Sequence, residues 1–132
     1  METRTTTRQI ILNAKGATGV GSVMNVASFK NIMLEVATAN SANLTINIAG
    51  SFAVDAPTFS SSASLTNPWF YIGSYNLADS SLVAGSTGYG FTGTDGVKGL
   101  LVNTDGLIWL NVIVTARAAG DVTVTGICFN NH

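Results

Sequence analysis

The sequence predicts an all-β fold, an antiparallel β-sandwich of about eight strands with a jelly-roll-like arrangement. Three observations predict it. Runs rich in β-branched and aromatic residues recur along the chain with two-residue alternation. Gly, Asn and Asp separate those runs, and helical periodicity is weak throughout. No repeat of roughly 20–50 residues is present, which disfavours a solenoid or propeller.

Taken in order, residues 9–15 and 20–27 read as a first pair of strands across Gly16-Ala17-Thr18-Gly19. In 31–38, Ile32, Leu34 and Val36 share one face, while Met33 and Glu35 take the other. In 43–50, Leu44, Ile46 and Ile48 alternate with Thr45 and Asn47, as in a sheet with one wet face, and Asn40 to Asn43 reads as the connecting turn. From Ser51 to Pro68 the chain is Ser-rich and carries both prolines, so a surface loop with at most a short strand is expected. Trp69 to about Tyr75 reads as an aromatic strand, and the Gly-rich stretch 78–96 holds at most a short strand around Tyr89-Gly90-Phe91. The last third reads as a meander: strand 97–103, a turn at Asp105-Gly106, strand 107–117, a turn at Ala119-Gly120-Asp121 and strand 122–129. In 107–117, Ile108, Leu110, Val112, Val114 and Ala116 make an unbroken apolar face opposite Trp109, Asn111, Thr115 and Arg117, so this strand belongs in the middle of its sheet.

The 132 residues suit one domain, drawn as a flexible N-terminal arm over 1–8 and a single sandwich over 9–132. Hydrophobic residues make up 46% and charged residues only 10%, against about 25% in average proteins, so Thr, Ser, Asn and Gly must cover the exterior. A mean hydropathy of +0.36 and a formal charge of −1 exclude the disordered class. They also leave little repulsion between copies, which favours an oligomer or a lattice. No apolar run approaches the ~20 residues of a membrane helix. The segment Met1 to Arg8 lacks the apolar core of a secretory signal, so synthesis in the cytoplasm is expected. The single cysteine, Cys128, forms no internal disulfide and is expected to be a small buried residue of the last strand.

Candidate chemistry is thin. Gly88-Tyr89-Gly90-Phe91-Thr92-Gly93 fits G-x-G-x-x-G, but Thr94-Asp95-Gly96 follows it where a phosphate-binding site needs a helix, so a flexible loop or assembly contact is the better reading. His132, the one histidine, is the last residue. Among the carboxylates Glu2, Glu35, Asp55, Asp79, Asp95, Asp105 and Asp121, the last three adjoin glycine and read as turn residues. One Cys and one His do not make a zinc site, and Asp95 with Asp105 lacks EF-hand spacing, so neither metal nor cofactor is expected. Arg4 and Arg8 among threonines are too sparse for phosphate-backbone contacts, so neither nucleic acid nor membrane is expected as a partner. The arm is either a loose tail or an extended segment that adds a strand to a neighbour's sheet. Trp69, Phe70, Tyr71, Tyr75 and Tyr89 read mainly as core packing and secondarily as a sugar platform. Asn43-Leu44-Thr45 fits a glycosylation sequon by chance.

The runs Phe29 to Ala37, Leu44 to Ser51, Trp109 to Ala116 and Gly120 to Val124 together resemble small β-sandwich structural proteins of tailed bacteriophage virions, of the capsid-decoration or head or tail accessory class. The likeness spans about residues 20–129. It implies a non-enzymatic virion protein, assembled in the host cytoplasm, that decorates or stabilises the capsid. Such a protein would pair with itself as a homotrimer or other symmetric oligomer, and with the major capsid protein or other virion proteins. The interface residues it points to are Thr3, Arg4, Thr5, Thr6, Thr7 and Arg8 of the arm. The Pro57–Pro68 loop with Trp69, and the Gly85–Gly96 loop with Tyr89 and Phe91, complete the set. The alternatives are a tail or fibre component, a carbohydrate-binding receptor tip, and, on Asp55 and Asp79 alone, a glycan-degrading enzyme.

Overall fold

A computed structural model describes the backbone of residues 4–131 and the side chains of residues 6–128. Two long strands, β4 (Asn31–Ser51) and β10 (Trp109–Asn131), pair antiparallel from Cys128↔Ile32 to Trp109↔Ser51 and form the spine of the molecule. Shorter strands attach to both sides of this spine. On its first half, β1 (Arg4–Lys15) pairs with β10 while β9 (Val97–Asn103), β6 (Ser74–Asn76) and β7 (Ser81–Val83) continue outward from β4. On its second half, β2 (Gly19–Val20) and β3 (Met24–Asn25) flank β10, and β5 (Phe70–Ile72) and β8 (Tyr89–Thr92) flank β4. Every pairing among the described strands is antiparallel.

The spine bends in the middle, so that its two halves face each other across one core. Ile32, Leu34 and Val36 from the first half pack in the same cluster as Leu44, Ile46 and Ile48 from the second. The same holds along β10 for Val122, Val124 and Cys128 against Leu110, Val112 and Val114. Inward positions are even-numbered in both halves of each strand and resume in phase after the corner. Between the halves, Asn40, Ala116 and Ala118 are exposed, so Ala116, expected on the buried face, does not extend it. At the corner, Asn40 and Ser41 take left-handed conformations (φ 62° and 56°), and Gly120 does so at 77°. The ladder slips register between Val114 and Ala116, Arg117 and Ala119, and Ala119 and Asp121. Bulges of this kind turn a strand from one layer into the next.

This architecture corrects the expected connections while keeping the fold class. The segments read as 31–38 and 43–50 are one strand, and so are 107–117 and 122–129; the presumed turns at 40–43 and 119–121 are its corners. Strand 97–103 pairs with 31–37 of β4 and not with its sequence neighbour. The Asp105-Gly106 turn is present, with Gly106 at φ 90°, but it arches between the layers. Thr104 ties this arch down by donating from Oγ1 to the Phe29 carbonyl (3.0 Å), and Leu107 plugs the core beneath it. Residues 9–15 do not pair with 20–27; β1 pairs with β10, and 19–25 bridges the layers through Gly21 N to Val112 O and Ser22 N to Ile11 O. The first strand begins at Arg4, so the arm boundary drawn at residue 8 falls inside β1.

Asp95 fastens the corner. Its carboxylate accepts from the backbone N–H groups of Ser41 and Ala42, both at 2.9 Å, the two donors a left-handed kink would otherwise strand. Opposite, Asn40 Nδ2 donates to Asp121 Oδ2 (3.0 Å) and Arg117 Nε to the Gly120 carbonyl (3.0 Å). The hydrogen bonds from Ala42 and then Ser41 hold the Asp95 carboxyl below its ordinary value of 3.8. A carboxylate depressed by folding contributes stability above its ordinary value and loses it as pH falls through the lower, folded one. The Asp95→Ala variant should therefore melt at lower temperature at neutral pH, and the difference from wild type should shrink below pH 3.8. Thermal melts from pH 7 to pH 2.5 that stay parallel for the two proteins would refute this role.

Candidate interaction surfaces

Two surfaces have the character of contact sites, and each lies on the outward face of one half of the sheet. Outward positions of the second half are Ala49 on β4 and Ile113 on β10. The loop between β4 and β5 folds across them, burying Phe59 against Ile113 with Trp69, Trp109 and Val20 around it. Polar contacts hold this loop in place. Ser51 Oγ donates to the Pro68 carbonyl (2.5 Å), Trp109 Nε1 to Ala53 O (3.0 Å) and Trp69 Nε1 to Ser61 O (3.0 Å). Asn67 staples the loop by accepting from Thr58 N (2.7 Å) and donating to Thr58 O (2.8 Å).

The outer skin of this loop is apolar. Phe52, 60% exposed, lies against Phe70 with ring centroids 5.2 Å apart. Together with Ala53, Ala63, Pro68 and Trp69 they line an open depression of about 680 Å³. Val54 and Leu65 are exposed nearly in full, at 84% and 101%. Exposed apolar groups gathered in one region mark a binding surface more often than exposed apolar groups scattered singly.

The second surface is the outward face of the first half. Register places Ile127, Met33, Leu101, Tyr75 and Leu82 directly opposite one another in turn, a row that crosses β10, β4, β9, β6 and β7. Directly paired side chains project from the same face of a sheet. The neighbouring row carries Ile10, Thr125, Glu35 and Gly99, and Leu77 covers Gly99. Val97, Lys98 and Leu77 rim a recess of about 280 Å³ with Met33, Glu35 and Ile127.

The residues singled out in the sequence are spread over different parts of the fold. Arg4, Thr5, Thr6, Thr7 and Arg8 lie in β1, paired with 131 to 127 of β10; Thr3 lies outside the described residues. Pro57, Pro68 and Trp69 belong to the loop over the second half. Trp69 is half-buried and serves chiefly to hold that loop, packing on Phe59 and edge-on to Tyr71. Phe91 is a core residue, 6% exposed, while Tyr89 packs beside it and remains partly exposed. The G-x-G-x-x-G run forms strand β8. Gly88 abuts the side chain of Asn47, and no helix follows among the described residues.

Ionisable groups are dispersed. Asp79 accepts from Ser81 N (3.0 Å), and that hydrogen bonding to Ser81 keeps its carboxyl below the ordinary value. Asp55 is an exposed loop residue, while His132 and Glu2 lie outside the described residues. No three His, Cys, Asp or Glu side chains gather as metal ligands among the described residues. No helix among them is long and apolar enough to cross a membrane. Cys128 is fully buried and desolvation pushes its thiol up to about 11, the inert core residue expected from its position.

Sequence reasoning pointed to the Pro57–Pro68 loop and Trp69 of the first surface but not to Phe52, and it missed the second surface. The outward row had one visible signal, the unbroken Leu100-Leu101-Val102, because a strand apolar on both faces is covered on both. The Phe52–Phe70 contact closes across a loop and left no periodic signal.

No family model matches the chain, and no curated protein matches its sequence. Solved structures do share its fold. The SPBc2 prophage-derived protein YomS superimposes with a TM-score of 0.72 at 16% identity, covering 97% of this chain and 96% of that one. The PBSX exported protein XepA superimposes with a TM-score of 0.70 at 12% identity, covering 96% of this chain. The matched part is 38% of XepA, so this chain corresponds to one portion of that larger protein.

Proposed function

We propose that this chain is a non-enzymatic structural protein of a tailed-phage virion, decorating or stabilising the capsid through oligomeric protein–protein contacts. The observation that carries the reading is the whole-length likeness of its fold to a prophage-derived protein at TM-score 0.72. Its surface chemistry agrees. The chain has 10% charged residues and a net charge of −1, two outward faces carry apolar groups, and no three His, Cys, Asp or Glu side chains gather among the described residues. Such a surface suits the desolvation of a protein contact and offers little to proton transfer. A decoration protein should co-sediment with density-purified particles induced from the genome that encodes it, at a fixed ratio to the major capsid protein. Cryo-electron microscopy should then find the sandwich on the head. Particles free of the chain by mass spectrometry would overturn the proposal.

A second reading rests on the Phe52–Phe70 depression, which has the exposed rings of a receptor-binding tip on a tail or fibre. Glycan-array binding abolished by Phe52→Ala would favour it over capsid decoration.

A further inference from the structure

We infer that the outward face of the β1-β10-β4-β9-β6-β7 layer is an interface on which a second copy of this chain packs, sheet face against sheet face. The inference rests on the reading that the chain works through oligomeric contacts, and it assigns the residues that make one of them.

The row Ile127, Met33, Leu101, Tyr75 and Leu82 is the starting point. A sheet facing water on one side alternates apolar and polar residues, yet β9 and the first half of β4 place apolar groups outward as well as inward. Ile127 is 8% exposed and Met33 and Leu101 are half-buried, but Tyr75 (49%) and Leu82 (68%) stand in the open. On the opposite half the 52–68 loop lies over Ile113, whereas on this face Leu77 lies over Gly99 and leaves Tyr75 and Leu82 exposed.

Area and charge both select a second copy as the occupant. Strands spaced ~4.8 Å apart and rising ~3.3 Å per residue, with seven residues on each of β1, β10, β4 and β9 and three on each of β6 and β7, give a footprint of roughly 540 Å². Two such faces together bury roughly 1,100 Å², above the ~1,000 Å² that a biological interface should clear. Arg8 and Glu35 are the charged residues on the two central rows and have opposite signs, and Lys98 joins Glu35 at the recess, so charges of both signs are available to pair across two copies. Its relief is also self-complementary. Tyr75 and Leu82 project on the β6–β7 side, whereas the recess lined by Met33, Glu35, Lys98, Gly99 and Ile127, with Leu77 also in its wall, lies over β9, β4 and β10. A two-fold axis running along the strands near β9 brings the projecting side of each copy over the recess of the other.

Leu82→Glu and Tyr75→Glu test this at exposed positions, where folding should survive; circular dichroism checks that it does. Analytical ultracentrifugation of the wild type should give a dimer or an even-numbered oligomer at ~10 µM, and the double variant should halve its mass and raise the dissociation constant at least 100-fold. Leu82→Cys supplies an independent readout, because the chain's own cysteine is buried and inert. Its maleimide labelling should slow at least tenfold as protein concentration rises through the dissociation constant. A monomeric wild type overturns the interface, as does an oligomer whose mass and labelling ignore residues 75 and 82. If the wild type is monomeric yet binds virions in a manner lost in Leu82→Glu, the occupant is another virion protein and the second copy is excluded. A wild-type dimer absent from purified particles leaves this interface standing and removes only the virion role.

Discussion

Gly120→Ala should cost about 2–5 kcal/mol of stability, a large share of the ~5–15 kcal/mol that holds an ordinary domain together. Two penalties add. Gly120 sits at φ +77°, where a side chain costs ~1–2 kcal/mol. A methyl built there would also lie 2.4 Å from the Ala42 Cα and 2.7 Å from the Ala39 carbonyl. Those are backbone atoms of the facing corner, so relief requires the two spine strands to part at their tightest approach; overpacking of this sort costs ~1–3 kcal/mol. Gly93 separates the terms, since it has φ +90° with nothing within 4 Å of the added methyl. Gly93→Ala should therefore lose only the conformational part, about 1–2 kcal/mol. Urea denaturation of the three proteins measures both. Equal losses for Gly120→Ala and Gly93→Ala would mean that the corner is not the close contact drawn here.

That same corner shows why strand content was legible in the sequence and connectivity was not. The alternation of Ile32, Leu34 and Val36, then of Leu44, Ile46 and Ile48, gives the inward face correctly in both halves. What lies between them is Asn40-Ser41, two consecutive left-handed residues. A two-residue hairpin turn demands the same conformation at the same residue types, so local chemistry cannot tell a reversal from a corner. The choice is made by pairing at long range, where β10 offers a continuous partner from Trp109 to Cys128. Ala119-Gly120-Asp121 was ambiguous in the same way. The Cys128 side chain, by contrast, was readable as core because its environment follows from strand parity alone. The candidate contact residues were less legible. Phe91 and Trp69 are as aromatic as Phe52 and Phe70, and burial, which composition does not encode, decides which of them meet solvent.

Ile113→Asp should cost about 3–5 kcal/mol and release the 52–68 loop. Ile113 is 8% exposed, between Ala49 and Phe59 with both tryptophans packed beside it. Losing its apolar burial removes ~1.5–3 kcal/mol. The new carboxylate adds to this, because it must either be desolvated or take up a proton, and each unit of upward pKa shift costs ~1.4 kcal/mol. Inward-facing neighbours such as Val112 have no escape from such a charge, since the facing layer closes over them. Ile113 has one, because its cover is a loop held by Phe59, Trp69 and a few hydrogen bonds. Opening that loop hydrates the carboxylate while the two-layer core survives, so the variant should keep its β-sheet circular dichroism. Trp69 and Trp109 are the chain's only tryptophans and both lie in this cluster, so their fluorescence reports on it directly. Emission should shift to the red, and limited proteolysis should cut within 52–68 at a rate at least tenfold above wild type. Ile113→Val, which keeps the cluster apolar, should lose only ~0.5–1.5 kcal/mol and leave emission unchanged. A red shift accompanied by complete loss of sheet structure would show that the loop and the core unfold together, and that the aromatic surface it carries cannot open independently of the sandwich.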